Sequence, residues 1–508
     1  MSLVSAVYLG FVAVVALIYY ILPAKVRPYV LLAGSVAFLA VCGAWTLGFV
    51  LFTAVTTFFA GKIAAGKGEG KSKTAAAVIA IVINIALMCA VKYYGVLDLV
   101  TENINNVTKA TDGSFLAVAV PLGMSFYTLQ MTGYVLDCLW GIIPAEKNFF
   151  RYLLFACYFP YMTSGPMNRY GELSEEFRKP VSLEYENIRK GAVRIAWGFF
   201  LKLIIAERAA VIVNAVYGDH ETYTGAYVLL GVLLFALQLY TDFMGCMEVA
   251  IGTSYIFGIK IPENFNSPYM SLSIREYWQR WHITLGTWLR DFLYYPLLKS
   301  APFIAIGDKS KKLFGKKKGK KVPVYLAMLV LWTAVGYWHG GLWKYIIGSG
   351  LLHCFYIVGG MIAEPLFAKM RKPFKPEKLP YKIFCGVRTF VLVLIGFFFF
   401  RAANVPDALQ LFKALFTAGA SPEGGILATG ITVPDIVVLA VASVILIAVD
   451  IYKFRPDQNE EPKSVLALTA KIPVGVRILL LALLILAVIV FGKYGLGYDS
   501  GAFIYARI

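Results

Sequence analysis

The chain has 508 residues, of which 59% are hydrophobic and only 15% charged, and its mean hydropathy is +0.69. Soluble domains carry about 25% charged residues, so this composition excludes a soluble globular protein and specifies an integral membrane protein. A net charge of +18 would suit a polyanionic partner, but the basic residues fall in short segments between apolar runs. That is the positive-inside pattern, which accounts for the charge without nucleic acid.

A membrane span needs about 20 apolar residues. In chain order the candidates are 3–23, 28–43, 45–61, 75–92, 116–140, 191–213, 226–256, 322–339, 343–362, 383–401, 434–452 and 473–492. The fold class expected is an all-α polytopic membrane protein with about 11–12 transmembrane helices, as one polytopic unit over 1–508. The first stretch lacks a basic leader and a cleavage site, so it reads as a retained span. Segments 150–165 and 285–305 are too broken or short to cross and read as re-entrant or interfacial.

Lys25, Arg27, Lys62, Lys67, Lys71 and Lys73 follow the first and third spans; eight lysines lie between Lys309 and Lys321, and six basic residues in 364–382. Placing all of these in the cytoplasm keeps the alternation of spans consistent. Segments 93–115, 214–225, 402–433 and the tail 493–508 then fall outside. The lysine run 309–321 reads as a solvated, mobile loop that touches anionic lipid, with docking of an acidic donor protein as the alternative.

Cys42, Cys89, Cys138, Cys157, Cys246, Cys354 and Cys385 are scattered through mostly apolar runs without a CxxC pair, as buried small hydrophobes are. Of the four histidines, His220 lies in a polar segment, YGDHETY, expected to be solvated. His339 ends an apolar span in VGYWHGGLW, and the glycines after it allow close backbone approach and leave space beside the ring. A histidine at membrane depth is a functional candidate, with a hydrogen bond to a neighbouring span as the structural alternative. His353 follows in SGLLHCFY as a supporting partner or a core residue. No HExxH, paired-cysteine, GxSxG or phosphate-loop pattern occurs, so no metal site is expected. General-base chemistry by a buried histidine remains.

The densest polar island is IPENFNSPYMSLSIREYWQRWHITLGTWLRDFLYYPL, residues 261–297. Between Arg275 and Arg290 it carries three arginines, one glutamate, His282, three tryptophans and a tyrosine. Unpaired charge is costly to bury, so this stretch is either a scaffold at the membrane surface or the wall of a reaction cavity.

PENFNSPYMSLSIREYWQRWHITLGTWLRDFLYYPL followed by YWHGGLW resembles the membrane-bound O-acyltransferase family, in the bacterial branch of the alginate O-acetyltransferase and teichoic-acid D-alanylation membrane subunits. Supporting blocks are VPLGMSFYTLQMTGYVLDC at 120–138, YFPYMTSGPMNRY at 158–170, QLYTDFMGCMEVAIG at 238–252 and FFRAANVPDA at 399–408. Departures at Thr241 and Cys246–Glu248 leave the acyl group open between acetyl and D-alanyl. The resemblance implies a funnel or tunnel flanked by re-entrant helices, with a histidine-motif core at about 238–356. It also implies a catalytic His339 and a supporting His282, with Trp281, Arg280, Trp338, Asn264 and Arg290 as substrate-contact candidates. Arg275, Glu276, Arg280, Arg290 and Asp291 would pair with one another and with backbone. The implied donor is a cytoplasmic acyl thioester, acetyl-CoA or an aminoacyl carrier protein, with no bound cofactor. The implied partner is an extracytoplasmic serine hydrolase-like acyltransferase, and the implied location the bacterial cytoplasmic membrane.

The chain ends GYDSGAFIYARI, similar to a C-terminal aromatic–x–Tyr–x–Arg–x motif of this branch, which implies Tyr505 as a transient acyl carrier. A phenol has a pKa near 10, so an aryl ester keeps much of a thioester's transfer potential. An interfacial anchor is the alternative reading of Tyr505. Outside the acyltransferase class, a polytopic transporter would show paired internal repeats, and none is found.

Overall fold

The computed structural model describes residues 1–67, 70–102, 122–179, 181–371, 378–417, 419, 422–455, 463 and 465–494, with backbone alone for 93–102. Tyr505 and the tail beyond Tyr494 lie outside the described residues. The fold is all-α, and the single extended pairing among the described residues is an antiparallel bridge between Phe265 and Trp281.

Seven described helices are long and apolar enough to cross a membrane: Trp45–Ala65, Gly70–Lys92, Ala226–Ile256, Trp343–Arg371, Leu379–Arg401, Val433–Lys453 and Val474–Phe491. Ala301–Gly319 and Val322–Trp338 meet at a 93° bend and would make an eighth if taken together. The last of the seven leaves Leu479, Leu483, Leu486 and Ile489 more than half exposed, a face suited to lipid.

Several of the twelve expected stretches are shorter or broken. Ala6–Ile21 and Arg27–Gly43 are apolar helices of 16 and 17 residues. Helix Met124–Leu139 covers part of 116–140, whose beginning lies outside the described residues. The stretch 191–213 is interrupted by a π-helix at Phe200–Ala206 between Tyr185–Phe199 and Glu207–Gly218. The lysine run expected as a loop at 309–321 is instead helical through Gly319, in Ala301–Gly319, with one break at Gly315, φ +76°, and only Lys320 and Lys321 lie in the turn after it. Lysine is a good helix former, and the run stays solvated because nearly all its side chains point outward.

The described residues form two compact units, Met1–Phe199 with Gly245–Glu263, and Phe200–Met244 with Asn264–Gly495. In the first, helix Tyr185–Phe199 crosses the end of Ala226–Ile256 on glycines: a methyl on Gly191 would sit 2.7 Å from Gly252 O, and one on Gly252 2.8 Å from Gly191 O. Small residues at such crossings let backbones close in where lipid offers no hydrophobic drive. Arg194 on the same helix pairs with Glu263 and, at 3.6 Å, with Glu248.

Glu146 is the polar centre of the first unit. Its carboxylate accepts from Tyr170 Oη at 2.5 Å, Arg178 Nη2 at 2.9 Å, and the amides of Lys147 and Asn148 at 2.8 Å each. Arg151 lies 3.5 Å away. Burial alone would raise its pKa, but these donors outweigh it and hold the carboxyl down at about 2. The network's contribution is therefore complete above the ordinary value of 4.5 and is lost as pH falls from there through about 2. Thermal unfolding of the detergent-purified protein should weaken over that window. Glu146→Gln should lower the midpoint at neutral pH and flatten the acid dependence; an unchanged acid limb would assign it to other carboxylates.

Candidate functional site

The second unit assembles the polar island from its own backbone. Ser273 Oγ caps helix Ile274–Arg280 by accepting from Glu276 N at 3.1 Å, and Glu276 Oε2 reaches back to Leu272 N at 2.9 Å. This reciprocal cap fixes the helix start. Glu276 Oε1 also accepts from Arg280 Nε at 2.9 Å, and Arg280 donates to Asn266 O at 3.3 Å and Arg455 O at 2.6 Å, with its guanidinium over Phe454. Arg280 is 2% exposed, so its charge is spent on holding the segment together.

The helix ends at Trp281, and the chain then takes a left-handed step at His282, φ +49°, before Ile283–Leu289. Such a φ is uncommon for a side-chain-bearing residue. It is held by the bridge to Phe265, by Asn266 N donating to Arg280 O at 3.0 Å, and by Ile283 N donating to Asn264 O at 3.0 Å. Asn264 Oδ1 accepts from Thr284 N at 3.1 Å and Thr284 Oγ1 at 2.9 Å, and lies 3.3 Å from His282 Nδ1. An oxygen so placed is matched by an N–H at Nδ1, which leaves the lone pair of the neutral ring on Nε2. The imidazole is 1% exposed, and burial pushes its pKa down to about 3.

His339 caps helix Val322–Trp338 and is 2% exposed. Gly340 at φ +134° and Gly341 at φ +72° turn the chain away behind it, conformations that favour glycine. The two histidines share a neighbour. Trp338 lies 5.8 Å from the His282 ring and 5.0 Å from the His339 ring, while Phe243 and Phe400 close the far sides at 4.9 and 5.6 Å.

The structure thus gathers His282, His339, Trp338 and Asn264 into one buried cluster. Trp281 stands behind it, packed on Phe265, Tyr269 and Tyr277. Arg290 does not join it: its side chain is 53% exposed and paired with Asp291 at 2.8 Å. His353 lies among Trp278, Trp332 and Tyr356, at 5.0 to 5.9 Å between rings. His220 lies near Asp407 and Gln410.

Sequence reasoning passed over the ion pairs that brace this unit. Lys202, in the π-helix 200–206, lies 2.6 Å from Asp242 and 2.7 Å from Glu207. Asp242 precedes Phe243, which touches His282. Asp450 accepts from Tyr240 Oη at 3.1 Å and Ser267 Oγ at 3.3 Å. One lysine in FFLKLII and one aspartate in LYTDFM, opposite charges in two apolar runs, were the signal available. Among the described residues no group of three His, Cys, Asp or Glu side chains converges as a metal set.

Residues 144–306 match the model of the membrane-bound O-acyltransferase family. A "Probable alginate O-acetylase AlgI" of Pseudomonas syringae is 30% identical over 409 residues, 79% of this chain and 72% of that protein. A "Peptidoglycan O-acetyltransferase" of Helicobacter pylori is 29% identical over 66% of this chain and 64% of its own length. A "Teichoic acid D-alanyltransferase" of Bacillus subtilis is 31% identical over 55% of this chain and 68% of its own.

The geometry at Asn264 has a spectroscopic consequence. In histidine-labelled protein, the His282 ring should stay neutral and in the Nδ1–H form from pH 8 down to about 4. Asn264→Ala should mix its tautomers. A His282 ring that titrates near the ordinary value of about 6.5 would contradict the burial described.

Proposed function

The chain belongs to the membrane-bound O-acyltransferase family, and from that premise we propose that it moves a small acyl group, acetyl, from a cytoplasmic thioester across the membrane for O-acylation of a cell-envelope or exported polysaccharide. The observation that carries this reading is the buried pair His282 and His339, both in contact with the ring of Trp338. The Pseudomonas and Helicobacter relatives named for O-acetylation span more of this chain than the D-alanyltransferase does, which favours acetyl over D-alanyl. Acetyl-CoA is then the donor; an aminoacyl carrier protein would serve the D-alanyl alternative.

In this reading His339 is the general base. An acceptor hydroxyl attacks the thioester carbonyl carbon while its proton passes to the imidazole. The tetrahedral adduct then expels the thiolate, which takes the proton back from the imidazolium and leaves as thiol. His339 is 2% exposed and touches the rings of Trp338 and Phe400, which keeps it out of bulk water, where its electrostatics would be screened. His282, held by Asn264, presents Nε2 in a fixed direction and orients the substrate beside Trp338. The first acceptor is the phenol of Tyr505, whose acyl ester is handed outside to a serine hydrolase-like partner.

The purified enzyme incubated with labelled acetyl-CoA and examined by intact-protein mass spectrometry separates these steps. An adduct on the C-terminal peptide is expected in the native chain and absent in Tyr505→Phe. His339→Ala should slow its formation at least about 10²-fold, within the range general-base catalysis supplies. An adduct formed only with a D-alanyl carrier protein would move the assignment to D-alanyl transfer. An adduct undiminished in His339→Ala would remove that histidine as base.

A further inference from the structure

The first unit holds a cavity of about 280 Å³, far in sequence from the histidine blocks, between the turn that joins helices Ala6–Ile21 and Arg27–Gly43 and the helices Phe149–Cys157 and Tyr170–Arg178. Three cations line it, Lys25, Arg151 and Arg178, and no carboxylate is among the lining residues. Arg178 is shared by two carboxylates outside the lining, the exposed Glu175 at 2.8 Å and the buried Glu146 at 2.9 Å, whereas Arg151, 3.5 Å from Glu146, keeps 34% of its side chain open to the outside and Lys25 lies on an exposed turn. Arginine presents a planar fork of N–H groups matched to phosphate oxygens, so the electrostatics favour a phosphate-bearing anion.

The rim identifies the source of that anion. The helices that flank the turn are mostly apolar, the second opening on Arg27, and Tyr29 and Phe150, which line the cavity, are at least half exposed, as is Ile21 at the end of the first helix. Apolar helix ends, exposed aromatic rings and basic side chains at one level mark the boundary between hydrocarbon and headgroups. A soluble phosphate ligand would gain nothing from that apolar rim. We propose that this cavity seats the phosphate headgroup of an anionic phospholipid, with Lys25 and Arg151 on the phosphate, Arg178 held at the wall by its two carboxylates, and the acyl chains running along the apolar surface beyond Tyr29 and Phe150.

The test uses the purified full-length protein in detergent, with native mass spectrometry to count retained phosphatidylglycerol against phosphatidylcholine and inorganic phosphate as competitor. Phosphatidylglycerol should be retained preferentially. Lys25→Gln and Arg151→Gln should each weaken its retention about fivefold, as expected for one basic side chain at a lipid surface. Lys25 is on an exposed turn, and Glu146 keeps Arg178 when Arg151 is replaced, so both variants should unfold at the native temperature when only phosphatidylcholine is present. Equal retention of the two lipids, or retention unaffected by either substitution, would overturn the proposal. Displacement of phosphatidylglycerol by inorganic phosphate at low millimolar concentration would also overturn it and reassign the cavity to a soluble phosphate ligand.

Discussion

One amide oxygen, Asn264 Oδ1, ties the polar segment of the second unit together, since it accepts from both the backbone and the hydroxyl of Thr284 and faces His282 Nδ1. The left-handed step at His282 costs about 1–2 kcal/mol for a residue with a side chain, and each neutral hydrogen bond returns about 1 kcal/mol. Three bonds around one oxygen, together with the backbone links of Asn264, Asn266 and Phe265, offset that strain. What the strain provides is direction. A histidine inside a continuous helix would point along the helix surface, whereas one at a left-handed junction projects from the gap between two helices.

The ion pairs follow from the same constraint applied to charge. A lone lysine in an apolar helix would be severely penalised, and Lys202 is tolerated because Asp242 and Glu207 meet it at 2.6 and 2.7 Å. Arg208, Asp435 and Lys493 form a second group, at 3.0 and 3.1 Å. The π-helix 200–206 connects the two. Its irregular hydrogen bonding leaves Leu203 O to accept from Lys493 N at 3.0 Å, so the last described turn of the chain is fastened by backbone and side chain together. Buried pairs of this kind add little net stability but fix register, because removing one partner strands the other.

The membrane class, the apolar helices and the two histidine blocks were legible in the sequence because each rests on local pattern. Hydropathy marks a helix without reference to its neighbours, and His339 followed by two glycines is a local motif. The rest depended on contacts between distant residues. Arg280 and Arg290 look alike as arginines in one aromatic-rich run, yet one is fully paired inside and the other sits at the surface beside Asp291. The lysine run read as a loop because charge density says solvated, which it is, but says nothing against a helix. Glu146 gave no local sign of its role, since its partners Tyr170 and Arg178 are supplied from more than twenty residues away.

The shape around His339 depends on what is missing from the side chains. A methyl on Gly336 would lie 2.6 Å from Ile346 Cα, on Gly350 2.5 Å from Trp332 O, and on Gly348 2.5 Å from Phe399 Cβ. These glycines press the π-helix Ile346–Leu351 against Val322–Trp338 on one side and against Leu379–Arg401 on the other. A π-helix spends an extra residue per turn, which shifts the register of everything after it. Here that shift sets His353 beneath Trp278 and Trp332. Phe400, on the helix that the π-helix packs against, meets the His339 ring. Close backbone contact therefore does what a large side chain could not: it leaves the ring of His339 bounded by aromatic faces while keeping the helices that carry those faces rigid.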